Sequence, residues 1–121
     1  MGRPMTNTEL VDALCKVSMT LREARRVHLV TYHILMPHVF MADVLKRIGH
    51  CLGAGRLHAS AAQATEVAGI LGALERGMAE GERETQNVIS ISFTRDSELE
   101  MFFDELRPLM GPRTRAQLQG R

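Results

Sequence analysis

Val88-Ile89-Ser90-Ile91-Ser92-Phe93 is the stretch on which the fold of this chain turns. Ile89, Ile91 and Phe93 alternate with Ser90, Ser92 and Thr94, the period of two that marks a half-buried strand. No other stretch reads as its mate. A lone strand leaves backbone N–H and C=O groups unpaired on both edges. Residues 88–93 are therefore expected to offer a strand edge to a second copy of the chain or to another protein. The plainer alternative is an extended linker whose Ile and Phe side chains plug a helical core.

On both sides of this stretch the period is helical. Thr6-Asn7-Thr8-Glu9 is a capping-box pattern, and Leu10, Leu14, Val17, Leu21, Ala24, His28, Thr31 and Leu35 recur at steps of three and four. This predicts one long amphipathic helix over 7–36, about eight turns at 3.6 residues per turn. Val27, Val30 and Ile34 widen its stripe, so its later part is expected to be buried all round. Pro37 should kink or end it. A second helix is expected over 38–52, lined by Met41, Val44, Leu45, Ile48 and Leu52 and closed by Gly53-Ala54-Gly55. A third is expected over 58–84, with Ala64, Val67, Leu71, Leu74 and Met78 in register. Beside that stripe runs a seam of small residues, Ala62, Thr65, Gly69, Gly72 and Ala73. Glycine inside a helix costs about 1 kcal/mol relative to alanine, and close approach of another helix would account for it. After the strand, Ser97 opens a closing helix carrying Leu99, Phe102, Phe103 and Leu106, which stops before Pro108. The expected architecture is mainly α: a helical hairpin or small bundle in one domain over 1–110, with one short strand and a C-terminal helix, dimerising, and a flexible basic tail over 111–121.

Composition narrows the function classes. The 121 residues suffice for one core, and with aromatics at only 4% that core must rest on aliphatic side chains and eight Met, a residue suited to surfaces that repack around partners. Net charge is +1, so no overall field points to nucleic acid. Residues 1–57 nevertheless carry a net +4 and residues 58–106 a net −7, a complementarity that would steer the halves together within a chain or across a dimer. Arg22, Arg25, Arg26, Lys46 and Arg47 form a candidate basic patch for a nucleic-acid-binding regulator, although no short helix-turn-helix accompanies it. Residues 1–9 lack the apolar region of a signal peptide, and the apolar run 27–42 is short for a membrane span of about 20 residues. A cytoplasmic protein without membrane contact is expected.

Candidate chemistry is sparse. His28, His33 and His38 are spaced by five, which turns neighbours about 140° apart on a helix and prevents joint chelation. His28 or His33 beside an acid such as Glu23 or Asp43 would make a small helical enzyme or metal binder. Cys15 and Cys51 fit no metal or disulfide spacing. Glu98/Glu100 and Asp104/Glu105 diverge on a helix, and Ser90 and Ser92 lack an adjacent base. Neither a catalytic residue, a metal ligand nor a cofactor is assigned. The expected function is a non-enzymatic interaction or regulatory module, homodimeric, acting on itself and on an unidentified protein through a Met-rich helical surface and the strand edge.

Overall fold

The computed structural model describes residues 3–53, 60–95 and 106–119. The expected helix opening at Ser97 up to residue 105, residues 54 and 55 of the expected glycine turn, and the start of the helix expected from residue 58 lie outside them. The described chain is helical: α1 (Asn7–Val17), α2 (Met19–Tyr32), α3 (Pro37–Gly53), α4 (Ala61–Glu80), α5 (Arg83–Arg95), a 3-10 turn (Arg107–Leu109) and α6 (Pro112–Gln119). α1 packs on α2 and α4, α3 on α2 and α5, and α6 across α4 and α5. One aliphatic core holds Leu10, Leu14, Leu21, Phe40, Ile48, Ile70, Leu71 and Ile89 fully buried.

The strand is corrected. Residues 88–93 form the later half of α5, and among the described residues the only β contact is an isolated parallel bridge between Met5 and Gly81. The helical register of this segment begins upstream of the Ile/Ser alternation. Thr85, Val88 and Ile89 are buried at steps of three and four, and Ser92 Oγ donates to the Val88 carbonyl at 2.7 Å, one turn back. The backbone groups expected to seek an outside strand are those of a helix, which bonds within itself. β-Branched residues disfavour helices only by tenths of a kcal/mol each, less than the burial of one isoleucine contributes.

Three other expectations change. The helix expected over 58–84 ends at Glu80, where Gly81 turns the chain into α5. The single helix over 7–36 is two helices broken at Ser18, whose backbone is extended (φ −145°, ψ 114°). The tail over 111–121 contains α6, with Thr114 fully buried. The Thr6/Glu9 capping box is present, and Pro37 is the first residue of α3, where its missing N–H costs nothing.

Short connections hold the bundle. The Met5 amide donates to the Glu80 carbonyl at 2.7 Å and the Glu82 amide to the Met5 carbonyl at 2.9 Å, so the N-terminal strap grips the α4–α5 corner. Gly77 makes room there: a Cβ on it would lie 2.6 Å from Ile89 Cδ1. A Cβ on Gly81 would collide with the Gly77 carbonyl oxygen, which cannot swing away. Gly72 has nothing within 4 Å of where its Cβ would be. Thermal unfolding should separate these positions. Gly81→Ala should lose about 1–3 kcal/mol through overpacking, whereas Gly72→Ala should gain up to about 1 kcal/mol. Equal effects would contradict this corner.

Candidate interaction surface

The break at Ser18 sets the direction of α2. Ser18 Oγ accepts from the Leu21 amide at 3.1 Å, capping α2, and donates to Glu66 Oε2 at 2.6 Å. Glu66, on α4, is gripped by Arg47 of α3 through two parallel bonds of 2.8 and 2.9 Å. Both side chains are largely buried, 18% and 15% exposed. The Arg47 guanidinium, aided by the Ser18 hydroxyl, outweighs partial burial and holds the Glu66 carboxyl below its ordinary value. At the other end of α2, His33 closes the helix in the left-handed conformation (φ 67°), and the buried His28 accepts the Met36 amide on Nε2 at 2.9 Å. Its ring meets Tyr32 at a tilt of 53° and Phe40 edge-on at 90°.

Held this way, α2 buries only Leu21 and His28. The stretch expected to be buried all round is instead one-sided: Val27 is 49% exposed, Val30 66% and Ile34 65%, with Met19 at 79% near the helix start. Between the two apolar ends, Glu23 and Arg26 form a surface ion pair on the same outward face. Beside Met19 lies a groove of about 460 Å³ walled by Val17, Thr20, Ala62, Thr65 and Gly69, with Arg47 and Glu66 alongside.

The residues singled out in the sequence fall into separate places. Of the small-residue seam, Ala62 and Thr65 line this groove, and Gly69 admits Val17, whose Cβ would lie 2.9 Å from an added Cβ. Gly72 faces open space and Ala73 is buried. Of the basic patch, Arg25 bonds Asp12 at 2.6 Å, Arg26 pairs with Glu23, Arg47 with Glu66, and Arg22 donates to the Cys15 carbonyl at 3.2 Å, while Lys46 is exposed. Three of its guanidiniums are thus neutralised locally, which weakens a phosphate-binding reading. The strand-edge set, Val88, Ile89, Ser90, Ile91, Ser92 and Phe93, belongs to α5, with Val88 and Ile89 in the core. His28 and His33 serve α2: one accepts a loop amide, the other closes the helix. Burial pushes the Cys15 and Cys51 thiols up, away from thiolate chemistry. Among the described residues no three His, Cys, Asp or Glu side chains converge on a metal position, and no helix is long and apolar enough to cross a membrane. The outward face of α2 was missed in the sequence because its valines sit beside the core stripe, and only the packing partners decide which side is covered.

A second carboxylate fastens the C-terminal segment. Glu75 of α4 accepts from the Arg113 and Thr114 amides at 3.2 and 2.9 Å and from the Thr114 hydroxyl at 3.0 Å. Burial raises its carboxyl, but these donors outweigh it and the net shift is downward. No protein-family model, no curated protein and no solved structure matches the chain.

Because Glu66 and Glu75 are both lowered on folding, their contribution is complete above the unfolded value of about 4.3 and is lost as pH falls through the folded values. Chemical denaturation of Glu66→Gln should show about 1–3 kcal/mol lost at neutral pH, the scale of charge-assisted hydrogen bonds, and a smaller loss on acidification than in wild type. Wild-type stability in that variant would contradict the network.

Proposed function

We propose that this chain is a non-enzymatic protein-interaction module that works as a homodimer through the outward face of α2. The reading is carried by the exposure of Met19, Val27 and Val30 on a helix that buries only two of its residues, with the exposed Ile34 just beyond its end. Scattered exposed apolar residues are ordinary, but Met19, Val27 and Val30 lie on one side of α2 by its 100° step per residue, and such a group forms a patch of the kind that marks interfaces. Removing such side chains from water contributes about 25 cal/mol per Å². Two further features support a second copy as the occupant. The face is electrically balanced, since Glu23 and Arg26 neutralise each other within it, so like faces meet without net repulsion. The patch also lies on a fixed helix anchored at both ends, by Ser18 and by His28, so little ordering entropy is lost on association. The strand edge has no part in this reading.

Sedimentation equilibrium at low to tens of micromolar should give twice the 13.5 kDa chain mass. Val30→Glu should give the monomer with unchanged helical circular dichroism, because Val30 makes no contribution to the core. A wild-type monomer throughout that range would overturn the reading.

A further inference from the structure

α6 has little of its own to hold it. It spans 8 residues, and an isolated helix shorter than about 12–15 residues is marginal in water. Over its first turn Thr114 is buried, while Pro112, Arg113, Arg115 and Ala116 are exposed. What meets this turn is the Glu75 carboxylate of α4. Its Oε1 accepts from the Thr114 amide at 2.9 Å and the Thr114 hydroxyl at 3.0 Å. Its Oε2 accepts from the Arg113 amide at 3.2 Å and lies 3.6 Å from the Arg113 guanidinium. One side chain thus satisfies two of the amides that a helix leaves open at its start and sets a negative charge against the positive end of the helix dipole. Just before α6, Leu106 and Met110 are packed in the core. Between that anchor and the helix, Gly111 lies against the same carboxylate: a Cβ on it would collide with Glu75 Cγ and Cδ.

We infer that residues 111–119 form a hinged flap over α4 and α5, closed by the Glu75 carboxylate and opening at Gly111 while the bundle beneath stays folded. The inference does not depend on the homodimer reading. Three observations support it. The flap packs on α4 and α5, whereas α1, α2 and α3 pack on one another and on those two helices without it. Leu106 and Met110 hold the chain on the near side of the hinge, so opening leaves them in place. The two carboxylates of α4 also differ in reach. Glu66 joins α4 to α3 and to the α1–α2 junction, so its loss is felt through the bundle. Glu75 joins α4 to one short helix, so its loss is felt there. Opening also strands no charge: the carboxylate and the Arg113 guanidinium both pass to water.

Hydrogen exchange of the full chain, read by peptide mass spectrometry, separates a flap from a fixed helix. In Glu75→Gln the amides of residues 113–119 should exchange at least about tenfold faster than in wild type, the scale of one charge-assisted hydrogen bond, while α1, α2 and α3 keep their wild-type protection. Gly111→Ala keeps the charge but displaces the carboxylate, and should give the same local loss. The wild-type chain supplies a reading that needs no variant. Low urea should leave exchange in residues 113–119 nearly unchanged, as for an opening that exposes little surface, and should speed exchange in α4. Wild-type protection of residues 113–119 in Glu75→Gln would overturn the flap. So would a loss spread equally over α1, α2 and α3, or a urea dependence shared by α6 and α4, since either would make α6 part of the cooperative core.

Discussion

The Glu66 carboxylate is the constraint on which the rest of the arrangement depends. It sits on α4, is gripped by Arg47 from α3 and receives the hydroxyl of Ser18 from the α1–α2 junction. A partly buried carboxylate loses part of its hydration, and here a bidentate guanidinium and a hydroxyl replace it. The same Ser18 oxygen caps α2. One side chain therefore ends one helix, starts the next and pins the corner to two others. With the corner pinned, α2 leaves the line of α1 and turns its valines outward instead of continuing a single amphipathic rod. The exposed face is a consequence of that anchoring.

The small residues belong to the same picture. Gly77 admits Ile89, Gly69 admits Val17, and the turn at Gly81 leaves no room for a side chain. Gly77 and Gly69 let two helices approach at points where an aliphatic side chain from one fills the space a Cβ would take on the other, whereas at Gly81 that space is closed by the Gly77 carbonyl and Thr85. Gly72 differs: nothing within the chain approaches it. Met5 and Thr85 complete the α4–α5 corner, with Thr85 Oγ1 lying 2.8 Å from Asn7 Oδ1 and 3.2 Å from the Met5 carbonyl. The two ends of the described chain are thus both fastened to α4 and its neighbour, by Met5 at one end and by Thr114 at the other.

What the sequence made legible was local. The Thr6/Glu9 box, the break in the helical run at Pro37, the apolar stripe of α4 and the helical character of the chain before residues 88–93 follow from spacing and capping chemistry alone. The strand reading failed because a window beginning at Val88 shows alternation, whereas the register that matters begins at Thr85 and is completed by Gly77, which provides the pocket for Ile89. Ser18 gave no signal, since a serine on the polar side of a helix ordinarily points to water; its partner is 48 positions away. The C-terminal segment looked like a tail because α6 has almost no apolar period, and it is held by Glu75 through two backbone amides and the hydroxyl of the buried Thr114, which no periodicity signals. The interaction surface was invisible for a related reason: the sequence shows that Val27, Val30 and Ile34 are apolar, but their exposure depends on where the other helices go.

Methyl NMR with a soluble paramagnetic agent tests most directly whether the outward face of α2 is covered by association. At concentrations where the chain associates, the methyl groups of Val27, Val30 and Ile34 should lose most of their relaxation enhancement and approach the protection of Leu21, and dilution should restore it. Enhancement at those three methyls that stays at its dilute value at every concentration would contradict the account.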